Sequence, residues 1–309
     1  MAPDSSRTQA LFDKLQRLSR PSSSIKPETV HQLRTTIRRV ETLFATIRRA
    51  PGRKEQKFLK RLCRLRRRAG KVRDLDVQIA ALGGLGLESI TRDRARVMSF
   101  LQKARAMQEK RLLRALQDEA DAGLRKRLNR AFGRLQQEFP KPAERKAAED
   151  RFLAAALRKF TTVVKRHPTL TEGNLHDFRM DCKRARYLAE MAGEGPKAVA
   201  AIAQLKRIQD AIGNWHDWLT LTTTAESVLS HSEQVPLLPA LRASTRSRYL
   251  EALRITADAM RALLEMREST STARENLGRG GPSTQSRVGR PGSSLGPDAE
   301  GLTARAATA

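Results

Sequence analysis

Val30, Leu33, Ile37, Val40, Phe44 and Ile47 follow one another at intervals of three and four residues. That spacing brings every apolar side chain back to one edge of an α-helix, so the segment has to be a helix packed against neighbours. The edge is repeated 145 residues later by Leu175, Phe178, Cys182 and Ala185. In both copies a cation or histidine stands one residue beyond a seam position. These are His31, Arg34 and Arg38 in the first copy, and His176, Arg179 and Lys183 in the second, with Arg39, Arg184 and Arg186 close by. Side chains so placed border the buried edge and point into a groove between helices.

The rest of the chain reads the same way. No stretch alternates apolar and polar residues over the length of a strand. The apolar share is 39%, mostly Ala and Leu, and aromatics are only 4%, a mixture that favours helices. Breaks rich in Pro, Gly and Ser at 20–27, 50–52, 83–86, 139–142, 167–174, 193–196 and 233–239 punctuate it. They predict an all-α fold of about ten helices, near 5–19, 28–49, 54–70, 73–83, 88–137, 144–166, 174–192, 196–212, 215–231 and 240–267. An offset near 145 carries the first five onto the second five, with Leu11, Leu15 and Leu18 meeting Ala156, Phe160 and Val163. At an offset of 143, "RLRRRAGKVRDLDV" (64–77) meets "RIQDAIGNWHDWLT" (207–220). Gly70 and Gly213 in these segments read as helix C-caps, and Asp74 and Asp217 as carboxylates near the start of the next helix. Arg73 and His216 occupy matching places beside the aspartates. The pattern predicts two related four-helix bundles about a pseudo-twofold axis, halves of one domain over 1–268, the first near 5–140 and the second near 141–268.

Sixty Lys and Arg against 33 Asp and Glu leave a net charge of +27. Residues 268–309 contribute only +1 of it, from five Arg and four acids, so the polyanion-attracting charge belongs to the folded part. The stretch 269–309 is rich in Gly, Pro, Ser and Thr and reads as a disordered tail. Cys63 and Cys182 form no CxxC or zinc-type cluster and read as reduced, structural residues. The first twenty residues lack an uninterrupted apolar run and do not read as a secretory leader, and no run is long enough to span a membrane. The expected compartment is the cytoplasm.

"HQLRTTIRR" and "HDFRMDCKRARY", each followed by "RLRRRAGKVRDLDV" or "LKRIQDAIGNWHDW", resemble the two halves of a CHAD domain, the conserved histidine α-helical domain, over about residues 5–267. The resemblance implies an internally pseudosymmetric all-α fold whose basic groove binds inorganic polyphosphate, and association with polyphosphate granules. By position it implies contacts from His31, Arg34, Arg38, Arg39, His176, Arg179, Lys183, Arg184 and Arg186. Lys60, Arg61, Arg64, Arg73, Lys206, Arg207 and His216 are second candidates. Two departures stand out: His216 where the first half has Arg73, and Cys63 opposite Lys206. The chemistry agrees with this reading. A flexible chain of phosphates has no bases to read, and its best receptor is a row of fixed cations, with Arg supplying forked donors. Two halves double the row, and the second contact is then intramolecular.

The alternative is a protein that binds DNA or RNA without sequence specificity. Two Trp and two Tyr offer little for base stacking, and no known nucleic-acid motif is visible, so such binding reads as a secondary activity. Trp215 and Trp218, three apart, read as packing residues. An enzyme of phosphate metabolism would need metal-holding carboxylates, a Gly-rich phosphate loop or a nucleophile beside a base, and the chain displays none. The expectation is therefore a binding module without catalytic residues, metal or cofactor, as monomer or homodimer. Helix 5–19 is the one candidate for a membrane-docking helix, and its counterpart in the second half argues for bundle packing instead.

Overall fold

A computed structural model describes residues 5–47, 51–85, 91–139, 142–230 and 236–279. Among them are nine α-helices and no strand: α1 Ser5–Leu18, α2 Pro27–Ile47, α3 Arg53–Gly83, α4 Thr91–Asp121, α5 Leu124–Gln136, α6 Arg145–Arg166, α7 Leu175–Glu190, α8 Pro196–Leu229 and α9 Leu237–Arg279, with a 3-10 turn at Pro142–Glu144 before α6. No helix among the described residues is long and apolar enough to cross a membrane. The chain divides into a unit Met1–Ser271 and a unit Thr272–Ala309.

The helices α1, α2 and α3 correspond in order to α6, α7 and α8, and α4 with α5 takes the place of α9. The seams of α2 and α7 are buried as their spacing requires. Phe12, Leu15, Leu33, Ile37, Phe44, Phe58, Leu62 and Leu128 belong to the core of the first bundle. Phe160, Phe178, Cys182, Leu205, Ile208, Trp215 and Leu263 belong to that of the second. Phe12 and Leu15 place α1 inside its bundle. A third core joins the halves. Leu82, Val97 and Leu101 from α3 and α4 meet Trp218, Leu221, Ala225 and Leu229 from α8 and Leu237 and Leu241 from α9.

The structure corrects the predicted elements in three places. Segments 54–70 and 73–83 form one helix, and so do 196–212 and 215–231, so Gly70 and Gly213 are helix-interior residues and not C-caps. The cost of an interior glycine, about 1 kcal/mol, is smaller than what long apolar faces gain by packing into two cores each. Second, segment 88–137 is not continuous. It breaks at Gly123, whose φ of +74° lies in the left-handed region that glycine occupies without steric cost. The break turns α5 back against α1, where the rings of Phe12 and Phe132 meet at 5.5 Å. Third, α9 continues to Arg279, beyond the predicted end near 267. Its sequence from 268 to 277 holds no Gly or Pro to stop it. The rest of the predicted tail, 280–309, lies outside the described residues.

A Cβ at Gly123 would meet nothing within 4 Å, so only the backbone opposes a side chain there. Gly123→Ala is expected to lower stability by about 1–2 kcal/mol, the cost of a left-handed L-residue. Urea unfolding measures this, and an unchanged midpoint would mean that residue 123 is not held at positive φ.

Candidate anion-binding site

Where α2, α3, α7 and α8 come together, they enclose a cavity of about 360 Å³. From α2 it receives His31, Arg34 and Arg38, and from α7 His176, Arg179 and Lys183. These are the residues one step beyond the seams. With the seam residues fixed in the core, these neighbours stand at the edge of the packed face, where α2 and α7 border the cavity. From α3 come Arg73, Asp74 and Gln78, and from α8 His216, Asp217 and Thr220.

An interior glycine faces each of the two arginines, and at Gly213 the close approach leaves no room for a side chain. Arg179 lies against α8 at Gly213, where an added Cβ would stand 2.7 Å from its Nη2. Its Nε donates to the carbonyl oxygen of Gln209 at 3.0 Å, one turn before that glycine. Arg34 approaches Gly70 of α3 in the same way but less closely, with 3.7 Å between its Nε and an added Cβ. Asp74 and Asp217, each one turn past its glycine, supply the main favourable charge on Arg34 and Arg179 respectively. Asp74 keeps access to water at the cavity surface and Asp217 is half-buried. The surrounding protein nevertheless raises both carboxyls above the usual range, against the pull of the arginines. The aspartates therefore offset part of the arginines' charge from within α3 and α8 and do not cap helices.

The remaining cations repel one another. Lys183 is buried, and its amine is pushed down to about 6 by burial and then by Arg179, Arg38, Arg34 and Arg186. Its Nζ donates to the sulfur of Met180 at 3.2 Å, a weak acceptor. His216 is lowered to about 4 by burial, His176, Arg179 and Lys183. Its ring lies 4.5 Å from that of His176, tilted by 35°. His176 is lowered by burial, Arg179 and Lys183, and His31 by burial, Arg73 and Arg34. Burial and neighbouring cations also lower Arg34 and Arg179, though a guanidinium stays protonated at any cellular pH. Such a cavity is short of negative charge. An anion entering it would relieve the repulsion and find forked donors from two sides.

Eight of the sixteen predicted contact residues line this cavity: His31, Arg34, Arg38, Arg73, His176, Arg179, Lys183 and His216. The other eight lie elsewhere. Arg184 is 3.7 Å from Asp181 and borders an adjoining trough that shares Arg38 and Lys183 and adds Arg66 and Lys159. Arg186 faces Glu190 at 3.6 Å and lies over the ring of Tyr187. Arg39 lines a separate apolar groove with Leu43 and Glu194. Arg61 is held by Glu119 at 2.8 Å, Lys206 by Asp210 at 2.6 Å, and Arg207 donates to Gln204 at 2.9 Å. Lys60 and Arg64 are exposed on α3. Trp215 and Trp218 are buried, as packing residues are. Sequence reasoning missed Gln78, a buried residue whose Oε1 has no hydrogen-bond partner, and Thr220. Gln78 follows Asp74 by four residues, so helical spacing alone would have placed it on the same face.

The family model of the CHAD domain matches residues 7–226. No curated protein matches the sequence. Among solved structures, PptA from Streptomyces chartreusis is similar with a TM-score of 0.57 and 18% identity, over 82% of this chain and 96% of that one. The CHAD domain from the plant Ricinus communis is similar with a TM-score of 0.55 and 18% identity, over 83% of this chain and 88% of that one. At these identities the likeness is one of fold, and it agrees with the resemblance drawn from the paired motifs.

Two stability tests follow from the cavity. Gly213→Ala forces the Arg179 guanidinium out of its place, whereas Gly70→Ala makes only an ordinary contact. Thermal unfolding should show Gly70→Ala neutral or stabilised by up to about 1 kcal/mol through helix propensity, and Gly213→Ala destabilised relative to it. Equal shifts would mean that Arg179 does not rest on residue 213. Lys183 loses its proton at about 6 when folded, against 10.5 for the ordinary amine, so the unfolded chain binds more protons between these values and stability climbs with pH across that window. Lys183→Met removes this dependence and is expected to raise the melting temperature, most clearly at the acidic end.

Proposed function

The chain belongs to the CHAD domain family, and from that premise we propose that it binds inorganic polyphosphate in the cavity between its two halves. The observation that carries this reading is the convergence of two matched triplets, His31–Arg34–Arg38 and His176–Arg179–Lys183, on one space whose cations outnumber its carboxylates. A phosphate chain laid along it meets donors from α2 and α7 in turn. Once one half is engaged, the other acts at high effective concentration. The module works by binding alone, targeting or organising other components on polyphosphate, and its setting in this reading is the polyphosphate granule of the cytoplasm.

Competition at physiological ionic strength tests the reading. Labelled long-chain polyphosphate is titrated with the protein while DNA, RNA and short phosphates compete. The expected result is tight binding that nucleic acid does not displace and that Arg38→Ala/Lys183→Ala weakens at least about tenfold, the loss of roughly 1.4 kcal/mol of charge-assisted contact. Equal displacement by every polyanion, with the variant unaffected, would replace this reading by diffuse attraction to the net charge.

The depressed amine and imidazoles give the binding a pH signature. An anion raises the pKa of each group it touches, so Lys183, His31, His176 and His216 take up protons on binding. Affinity is expected to increase as pH falls from about 8.5 to about 5.5, and calorimetry in buffers of different ionisation enthalpy should register proton uptake near neutrality. A flat profile would exclude these groups from contact.

A further inference from the structure

We propose that the first bundle carries a second phosphate-chain site, in the cleft between the N-terminal end of α3 and α5. The cleft has a volume of about 210 Å³ and is set apart from the central cavity, since about three turns of α3 separate Arg61 from Arg73. Lys54, Lys57 and Arg61 line it from α3, and Arg127, Arg130 and Arg134 from α5. Each triplet falls at i, i+3 and i+7, the spacing by which His31–Arg34–Arg38 and His176–Arg179–Lys183 line the central cavity. Two helices again present rows of cations to one cleft, each row about 10 Å long.

Carboxylates again hold part of the array. Glu119 accepts from Arg61 Nε at 2.8 Å and lies 3.4 Å from Arg127, and the buried Glu55 stands 3.6 Å from Arg134. Lys54, Lys57 and Arg130 have no carboxylate within 4.0 Å among the described residues, so the cleft keeps an excess of cations. The first turn of α3 opens at this end, and its dipole adds to the attraction for anions. Phe58 is the one aromatic in the wall and is buried, which leaves no aromatic face on which a base could stack. The ligand class is therefore a run of phosphates without bases. It is the class assigned to the central cavity, and the inference rests on that assignment only for the ligand's chemistry. The α5 wall of the cleft exists because the chain breaks at Gly123, whereas α9 of the second half runs on unbroken.

Calorimetric titration with inorganic triphosphate, short enough to count sites separately, tests the inference. Two equivalents per chain are expected for the unmodified protein. Lys57→Glu/Arg130→Glu, both exposed positions, should lose one, and Arg38→Ala/Lys183→Ala should lose the other. Lys103→Glu/Lys110→Glu on α4 makes the same change in net charge elsewhere and should keep both. No equivalent in the unmodified protein, a count that Lys57→Glu/Arg130→Glu leaves unchanged, or an equal loss in the α4 control would overturn the second site. So would displacement of its equivalent by polyglutamate but not by longer phosphate chains. Loss of one equivalent in the cleft variant with none lost in the cavity variant would instead uphold this site and refute the central one.

Discussion

A residue next to a fully buried apolar seam has its Cβ fixed at the seam's edge for as long as the seam stays buried. This constraint, set by α2 and again by α7, is what makes the cavity. Val30, Leu33 and Ile37 hold His31, Arg34 and Arg38 where they stand, and Leu175, Phe178 and Cys182 do the same for His176, Arg179 and Lys183. The hydrophobic gain of burying the seam exceeds the electrostatic penalty of gathering like charges beside it. The basic groove is thus maintained by the core and not by contacts among its own members.

The long helices α3 and α8 give the groove its other two walls and the molecule its unity. Each packs its first half into its own bundle and its second half into the core shared by both. Where they pass the cavity, a glycine faces an arginine of the neighbouring helix, tightly at Gly213 and at ordinary contact distance at Gly70. The aspartate one turn on then faces that arginine. Glycine, arginine and aspartate recur together in both halves, with a tighter fit at Gly213 than at Gly70.

The site is arranged against stability. A buried lysine with a sulfur for its hydrogen-bond acceptor, two stacked imidazoles held neutral and a pair of half-compensated arginines all cost free energy in the unliganded fold. Under the proposed function a polyanion in the cavity would offset that cost, and the electrostatics of the cavity would set the strength and pH dependence of binding.

By itself the sequence determined the helical class and the duplication, and it placed His31, Arg34, Arg38, His176, Arg179 and Lys183 beside the seams of α2 and α7 without separating them from Arg39, Arg184 and Arg186. Those properties follow from periodicity within one helix, which local spacing encodes completely. Asp74, Asp217, Arg73 and His216 could be recognised as paired, but their role could not, because the reading ended a helix at Gly70 and Gly213. Whether a helix continues through a glycine depends on what packs beyond it. Here that is the core joining the halves, built from residues more than a hundred positions apart. The tertiary structure alone also decided which basic residues belong together. Lys60, Arg61, Arg64, Lys206 and Arg207 stand on a face of α3 or α8 that turns away from the cavity, while Gln78 turns into it. The break at Gly123, which creates α5 and its cleft, was equally invisible: a glycine permits a left-handed turn, and only the packing of α5 on α1 requires one.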